Sequence, residues 1–435
     1  MTSTQDTQNT TLPSFGVALA YWAKLGVISF GGPAGQIAIM QQDLVDRLKW
    51  VRHLDFMNAL NICMLLPGPE AQQLATYLGW RMHGLKGALA AGVLFVAPGA
   101  AVLLALSWVA AAHGDVTWIA RAFSGLMPVV VAIVAGALWR TARRALRSTI
   151  AVAVAIAVFV AVGVFGLPFP AVVALAAAIG LAAAQAGRGG WFAALGHGHA
   201  APVEAERGLA LDWRRLAGIA AIYAFAIGTP TWALWALTDS NHFPVLAWLF
   251  SKAAFVTFGG AYAVLPYVAD AAVNDLGWLS REAMMNGMAL AETTPGPLIL
   301  VLQYVGFFSG WNAAAAQLAA GWPRESLAAV SALFATYATF LPSICLILTI
   351  APAVGAIGAM PRVSAALGAI TAAVVGMIGT LAIFLAETAF ISDGKVLIVR
   401  SVVAVAALVA ILRWNIAVHW LVMAGAALGL IGVTA

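Results

Sequence analysis

The sequence predicts an all-α integral membrane protein with two homologous repeats in inverted arrangement. About 13 spans are expected, with a Pro-Gly-Pro-broken helix in each repeat. Three observations lead to this fold class: few charged residues, a succession of apolar stretches, and a segment that occurs twice. The 435 residues are 63% hydrophobic and 9% charged, against about 25% charged in soluble domains. A water-soluble fold is therefore excluded.

Apolar stretches succeed one another along the chain, and many approach the roughly 20 residues that a spanning helix needs. The first set comprises residues 15–40, 86–112, 116–139, 149–163 and 169–186. The second set comprises residues 243–268, 327–350, 363–386, 396–412 and 416–431. The predicted domains are a disordered tail (1–13), a first membrane repeat (14–186), a polar linker (187–213), a connecting span (214–238) and a second membrane repeat (243–435).

A segment of the first repeat recurs 228 residues later without a gap, the separation of Lys24 from Lys252. The same offset aligns Phe-Gly-Gly at 30–32 with 258–260, and Pro-Gly-Pro at 67–69 with 295–297. Chance agreement in an alanine-rich chain would give alanine matches rather than these. The sequence therefore predicts two copies of one membrane unit.

The relative orientation of the copies depends on whether each broken element crosses the membrane. If each crosses once, the span at 214–238 inverts the second copy, whereas two re-entrant hairpins leave the copies parallel. The distribution of Lys and Arg by itself favours the parallel arrangement. However, the segment after the first span carries three basic residues, and its counterpart carries Asp270, Asp275 and only Arg281. This reversal favours inverted copies, with the arginine cluster at 140–147 on the cytoplasmic side.

Lys24 and Lys252 lie inside apolar stretches at the same point of each repeat. A charge at the bilayer centre costs about 2.5–3.5 kcal/mol on insertion scales, so each lysine is expected to face a cavity or a partner. Snorkelling of the amine to the headgroups is the alternative. The paired glycines after them are Gly31, Gly32, Gly259 and Gly260. They permit a helix break or amides that face an anion, or close helix packing.

Each Pro-Gly-Pro is expected to break a helix, because proline lacks an amide hydrogen and clashes with the preceding turn. The restarting helix has unpaired amides and the positive end of its dipole, which predicts an anion site; a purely structural kink is the alternative. The predicted binding residues here are Pro67, Gly68, Pro69, Gln72, Gln73, Pro295, Gly296, Pro297 and Tyr304. Glu70 and Glu292 flank the breaks as candidates for proton coupling, or as structural partners of a lysine.

The sequence offers no cofactor or metal centre. Cys63 and Cys345 lie in apolar surroundings, and His197 with His199 lack a third ligand nearby. The net charge of +5 is explained by membrane orientation, so no nucleic-acid partner is expected.

Longer motifs resemble the long-chain bacterial chromate transporters. The first half carries FGGPAGQIAIM at 30–40, LPGPEAQQLATYLGW at 66–80 and FVAPGA at 95–100, and the second carries FVTFGGAYAVLPYV at 255–268 and TTPGPLILVLQYVGF at 293–307. The resemblance implies a multi-pass carrier of the bacterial inner membrane whose two halves have opposite orientation. It implies export of chromate driven by the proton-motive force, with sulfate as a competing anion.

The second copy departs from the first at three motif positions: Ala261, Leu298 and Val301 replace Pro33, Glu70 and Gln73. A site built from both breaks is therefore expected to be asymmetric. Uptake of sulfate or another anion, a passive channel and a membrane-embedded lipid-modifying enzyme are alternatives. An enzyme would need clustered carboxylates or histidines within the membrane, which the sequence lacks. The expected partners are chromate, sulfate and the lipid bilayer, and a homodimer is left open.

Overall fold

The computed structural model describes residues 12–30, 32–64, 66–192, 213–258, 260–313, 321–350, 361–392 and 395–434. Nearly all of the predicted tail and most of the predicted linker lie outside these ranges, as do His197 and His199. The described residues are almost entirely helical. The chain is a helical, multi-pass membrane protein.

The helices follow one another in chain order. The first half contains α1 Phe15–Ile28, α2 Gly32–Gln41, α3 His53–Cys63, α4 Glu70–His113, α5 Thr117–Ala145, α6 Thr149–Gly163 and α7 Phe169–Gln185. The second part contains α8 Trp213–Thr238, α9 His242–Val256, α10 Leu265–Asp270, α11 Arg281–Thr293, α12 Val301–Ala313, α13 Arg324–Ile350, α14 Pro361–Phe390, α15 Ile398–Trp414 and α16 Val418–Leu430. Short 3-10 helices lie at Gly189–Phe192, Ala261–Ala263 and Leu298–Leu300, and π-helical turns at Gln42–Arg47 and Ala271–Asp275. Ile391–Ser392 (β1) and Lys395–Val396 (β2) form one short antiparallel pair.

Five described helices are long and apolar enough to cross a membrane: α4, α5, α8, α13 and α14. Six shorter helices or helical segments are also apolar. α4 has 44 residues, about 66 Å at 1.5 Å per residue, which exceeds the roughly 30 Å hydrocarbon layer. It bends at His83 and Gly84, whose φ angles are −139° and +61°. α4 is therefore two helical pieces, and the second corresponds to the predicted span at 86–112.

Two predicted spans, 15–40 and 243–268, are not continuous helices. α1 ends at Ile28 and α2 begins only at Gly32, while α9 ends at Val256 and gives way to a 3-10 turn. The helix break that the paired glycines permit is thus present at both places, although the apolar pattern continues across each Phe-Gly-Gly. Gly32 and Gly260 both have positive φ angles, +70° and +103°, which an α-helix cannot accommodate.

Equivalent positions of the two segments have the same local structure. α1 and α9 end at Ile28 and Val256, α3 and α11 begin at His53 and Arg281, and the chain becomes helical again at Glu70 and Leu298. Each of these pairs is 228 residues apart in the chain. In both segments an α-helix also passes directly into a π-helical turn, after α2 and after α10.

Helix packing places α5 against α11, α14, α15 and α16, and α4 against α1, α12 and α13. α5 and α16 approach to backbone contact, since a Cβ on Gly125 would lie 2.0 Å from the carbonyl oxygen of Gly425. Small residues allow such close crossings in membranes. α8 packs beside α9 and α13 and is exposed along its apolar length, so it lies at the periphery.

Candidate functional site

Each Pro-Gly-Pro triplet is hydrogen-bonded to the end of a broken helix in the other half of the chain. The amide of Gly68 donates to the carbonyl of Thr257 at 2.8 Å, and the amide of Gly296 donates to the carbonyl of Ser29 at 2.8 Å. Ser29 and Thr257 follow α1 and α9 directly. Each triplet of one half is therefore tied to the helix break of the other half. We call this region, formed by residues 28–30, 32–36, 66–76, 256–258, 260 and 292–298, the crossover.

Both triplets need glycine at their centre. The φ angles of Gly68 and Gly296 are +119° and +98°, in a region that L side chains rarely adopt. At Gly68 there is also no room, because an added Cβ would lie 2.2 Å from Ser343 Oγ. No helix continues through either triplet, and no side chain caps the restart at Pro69 or at Pro297.

Three polar side chains are fully buried just after the first triplet: Gln72, Gln73 and Thr76. Gln73 Nε2 donates to the carbonyl of Pro67 at 2.7 Å, and Gln72 Nε2 donates to Thr76 Oγ1 at 3.2 Å. Among the described residues, the Oε1 atoms of both glutamines have no hydrogen-bond partner. A buried polar atom without a partner is costly, so these oxygens are available to water or to a solute.

The second triplet is held by Gln36 from the first half. Gln36 Nε2 donates to the carbonyl of Gly296 at 2.6 Å and to that of Ser29 at 3.3 Å. Gln36 Oε1 and Ser29 Oγ are buried and have no hydrogen-bond partner within the described ranges. Unpartnered polar atoms therefore lie at both triplets.

α4 also reaches the second triplet further along its length. A Cβ on Gly99 would lie 2.0 Å from the carbonyl oxygen of Pro295, so the two backbones touch. One residue on, the carbonyl of Ala100 accepts a 2.7 Å hydrogen bond from Gln303 Nε2. The long helix of the first half thus runs from the first triplet to the second.

Sequence reasoning missed Ser29, Gln36 and Ser343. Ser343 belongs to α13 and is fully buried. Its Oγ lies beside Gly68 and has no hydrogen-bond partner in the part of the chain that the structure describes. Ser29 and Gln36 flank or belong to the FGGPAGQ motif, whose glutamine was a recognisable signal. Ser343 follows Pro342, but nothing in the local pattern indicates its approach to residue 68.

The two predicted lysines lie outside the crossover. Lys24 is exposed on α1 and has no hydrogen bond or ion pair with any described residue. Lys252 is half-buried on α9, with its ammonium 5.7 Å from the centroid of the Trp248 ring and 5.5 Å from that of Tyr267. It borders an apolar groove of about 700 Å³ between α8 and α9.

The other predicted residues are placed as follows. Gly31 and Gly259 lie outside the described residues. Gly32 and Gly260 are half-buried at the two helix breaks. Tyr304 is buried on α12, where its ring packs against Gly287 and lies 4.6 Å from that of Phe308, centroid to centroid.

Glu70 and Glu292 are half-buried at the two breaks. Tyr262 donates a hydrogen bond from its hydroxyl to Glu292 Oε1. Within the described residues neither glutamate forms an ion pair with a lysine, so the structural lysine pair considered above is not present in this conformation.

The chromate transporter family model matches residues 17–181 and 245–430 of the chain. The probable chromate transport protein of Synechococcus elongatus is 26% identical over 72% of this chain and 71% of its own length. The chromate transport protein of Cupriavidus metallidurans is 29% identical over 66% of each chain, and that of Pseudomonas aeruginosa is 30% identical over 71% of this chain and 70% of its own. No solved structure gives a significant match.

The family match covers most of the chain in two segments, and each segment contains one Pro-Gly-Pro and one helix break. The three relatives are named as transport proteins rather than enzymes. The chain belongs to the chromate transporter family.

Proposed function

We propose that the protein is a secondary active carrier that exports chromate across the bacterial inner membrane, driven by the proton-motive force and with sulfate as a competing anion. Chromate is proposed as the substrate because the chain belongs to this family and its relatives are named for chromate transport. The crossover supports a carrier rather than an enzyme, since it combines broken helices and buried polar groups in the way that transporter sites do.

The crossover has the chemistry that a tetrahedral oxyanion needs. The first-turn amides of the restarting helices carry no side-chain cap, and the hydroxyls of Ser29 and Ser343 are buried without partners. Amides and hydroxyls donate hydrogen bonds to anionic oxygens, and a helix start adds a partial positive charge. One wall of the proposed site is then the first triplet, Pro67, Gly68 and Pro69. The other wall is the second triplet, Pro295, Gly296 and Pro297.

The remaining predicted residues have the following proposed roles. Gln72 and Gln73 offer polar groups from the first half, and the glycine pairs 31–32 and 259–260 are proposed to give the anion access to the site. Lys24 and Lys252 are proposed as charges outside the crossover that attract the anion. Tyr304 is proposed to support α12 behind the second triplet, since its ring is buried against Gly287.

We further infer that the membrane unit is duplicated and that the copies are inverted, with about 13 spans. The reciprocal bonds Gly68–Thr257 and Gly296–Ser29 support a two-fold relation between the halves. The segment after α2 is basic, whereas its counterpart after α10 carries mainly acidic residues. This difference supports opposite membrane orientations of the two copies. In this arrangement Glu70 and Glu292 exchange protons during the transport cycle, since both lie beside the proposed anion site.

Transport by everted membrane vesicles tests the proposal. Export from the cell appears as accumulation in such vesicles, so we expect energised vesicles that contain the protein to accumulate chromate and an uncoupler to abolish this. Excess sulfate should lower the rate. Vesicles that accumulate sulfate but not chromate would assign the carrier to another anion, and accumulation that survives the uncoupler would exclude coupling to the proton-motive force.

A further inference from the structure

Three glutamines of the crossover are hydrogen-bonded through only one end of their amide. Gln36, Gln72 and Gln73 are fully buried, and in each the nitrogen Nε2 donates a hydrogen bond. The oxygen Oε1 of each has no hydrogen-bond partner within the described residues. Buried polar atoms are normally hydrogen-bonded, so three such oxygens in one region favour a solute that binds there.

The orientation of each amide is fixed by its partner. Gln36 and Gln73 face backbone carbonyls of the second and the first triplet at 2.6 and 2.7 Å. A carbonyl can only accept, so the facing atom is the amide nitrogen. Gln72 faces Thr76 Oγ1 at 3.2 Å, and that hydroxyl donates its own hydrogen to the Gln72 carbonyl at 2.8 Å. All three free atoms are therefore oxygens, which accept hydrogen bonds and cannot donate them.

One face of α4 connects the two triplets. Gly92 and Gly99 are seven residues apart, so they lie on the same face, about 10 Å apart along the helix axis. A Cβ on Gly92 would lie 3.2 Å from Gln72 Nε2, and a Cβ on Gly296 would lie 3.8 Å from the Cα of Gly99. Gln36 is hydrogen-bonded to the carbonyl of that same Gly296. The glutamines of both triplets therefore border one short stretch of helix surface.

Hydrogen-bond donors border the same region. A Cβ on Gly68 would lie 2.2 Å from Ser343 Oγ and 2.8 Å from Gln73 Nε2, so this hydroxyl and this amide border the same small volume. The hydroxyls of Ser343 and Ser29 are buried and have no partner in the described part of the chain. The uncapped amides at the two helix restarts are further donors. The crossover thus combines donors with three groups that can only accept.

We propose that the crossover binds a tetrahedral oxyanion that carries a proton, which for chromate is hydrogen chromate rather than the bare dianion. This inference rests on the proposed function and specifies the form of its substrate. The donors bind the anionic oxygens, and the hydroxyl of the protonated oxyanion donates to one of the glutamine oxygens. A bare dianion has no hydrogen to donate, so it leaves these oxygens unpaired and opposes its own lone pairs to theirs.

The proton also separates chromate from sulfate. Hydrogen chromate is a weak acid that is present beside the dianion at neutral pH, whereas sulfate takes up a proton only in strong acid. Sulfate can therefore accept from the donors of the crossover but cannot satisfy its glutamine oxygens. It should compete with chromate only when it is present in excess.

Phosphate and sulfate provide the test. At mildly alkaline pH both are tetrahedral dianions, but hydrogen phosphate keeps one proton and sulfate has none. We expect phosphate to inhibit chromate transport by everted vesicles at a concentration about tenfold lower than sulfate, because a buried acceptor left unpaired costs about that factor. Equal inhibition by the two anions, or stronger inhibition by sulfate, would overturn the proposal.

Glutamine-to-methionine variants identify the acceptor. Q36M, Q72M and Q73M keep the length of the side chain and remove its oxygen. We expect the preference for phosphate over sulfate to fall towards one, most strongly in Q73M, whose amide borders the Ser343 hydroxyl. The preference compares two anions on one protein, so a general loss of stability or rate does not alter it. An undiminished preference in all three variants would overturn the assignment.

Gln303→Met is the matched control. Gln303 is also fully buried, but both ends of its amide are hydrogen-bonded. Its Nε2 donates to the carbonyl of Ala100 at 2.7 Å, and its Oε1 accepts from Thr336 Oγ1 at 3.0 Å. The variant should be less stable than the wild type and keep the wild-type preference for phosphate. A preference that falls as far in Q303M as in Q73M would contradict the proposed role of the free oxygens.

A binding measurement keeps the test decisive if transport fails. Phosphate should raise the unfolding temperature of the purified wild type in detergent at a lower concentration than sulfate does. Equal stabilisation by the two anions, or none by either, would overturn the proposal. Chromate accumulation that phosphate and sulfate inhibit equally would leave the carrier function intact, whereas energised vesicles that accumulate no chromate would refute the proposed function itself.

Discussion

The backbone amide of Gly296 donates a 2.8 Å hydrogen bond to the carbonyl of Ser29, which joins the second Pro-Gly-Pro to the end of the first helix. The equivalent residues Gly68 and Thr257 form the same bond in the opposite sense. Each bond uses an amide that the proline-flanked turn leaves free and a carbonyl that the broken helix leaves free. The backbone groups that one break leaves free are therefore hydrogen-bonded by those of the other break. Without its counterpart, either break would leave unpaired backbone groups in an apolar environment.

Gly68→Ala is expected to disrupt the first of these junctions. A Cβ there would lie 2.2 Å from Ser343 Oγ and 2.8 Å from Gln73 Nε2, at a φ of +119°. Steric strain and overpacking together should destabilise the protein by about 2 kcal/mol or more. A lower unfolding temperature in detergent, together with a loss of transport, checks this.

Gly218→Ala is the control for this prediction. Gly218 lies on the peripheral helix α8, and nothing lies within 4 Å of an added Cβ. Its unfolding temperature should equal or slightly exceed that of the wild type, since alanine is the better helix former. A Gly68→Ala protein that is as stable as this control would mean that the junction tolerates a side chain, contrary to the geometry.

Ser343→Ala distinguishes a binding role from a structural one. The Ser343 hydroxyl is buried without a partner, so its removal should leave the free energy of unfolding unchanged or slightly increased. If the hydroxyl donates to the transported anion, the KM should rise by about three- to tenfold, since a neutral hydrogen bond contributes about 1 kcal/mol. Transport kinetics and thermal unfolding of one preparation give both values.

Ser309→Ala provides the opposite pattern. Ser309 is equally buried, but its hydroxyl donates to the carbonyl of Gly306 at 2.7 Å. Its removal should cost about 1 kcal/mol of stability and leave the KM unaltered. A Ser343→Ala protein that behaves in this way would exclude Ser343 from the site.

The local features of the crossover could be predicted from the sequence, whereas its contacts could not. Two prolines around a glycine indicate a helix break wherever they occur. By contrast, the hydrogen-bond partners of Gly296 and Gly68 are Ser29 and Thr257, far away in the sequence. No local sequence pattern predicts such long-range pairs. Gln36 lies in a recognisable motif, yet only the fold shows that its amide holds the carbonyl of Gly296. The predicted span 116–139 ends where the apolar composition ends, whereas the helix continues to Ala145.

Lys24 and Lys252 should affect transport only modestly. Lys24 is exposed, and the Lys252 ammonium lies over the rings of Trp248 and Tyr267. As charges outside the crossover they would act on the anion over a distance, and such interactions are weak and screened by salt. We expect K24A and K252A to raise the KM by only a few-fold at low ionic strength, an effect that added salt should reduce. Complete loss of transport in either variant, with normal protein levels, would place that lysine in the site.

The inverted arrangement predicts that Lys49 and Arg147 lie on opposite sides of the membrane. If the broken element α3–α4 crosses the bilayer once, the exposed segment before α3 and the arginine-rich end of α5 face different compartments. If that element is instead a re-entrant hairpin, both face the same compartment. We expect K49C and R147C, in a chain whose Cys63 and Cys345 are replaced by alanine, to react with a membrane-impermeant thiol reagent from opposite sides. Right-side-out and everted vesicles supply the two sides, and labelling of both cysteines in the same vesicle type would establish the hairpin and parallel copies.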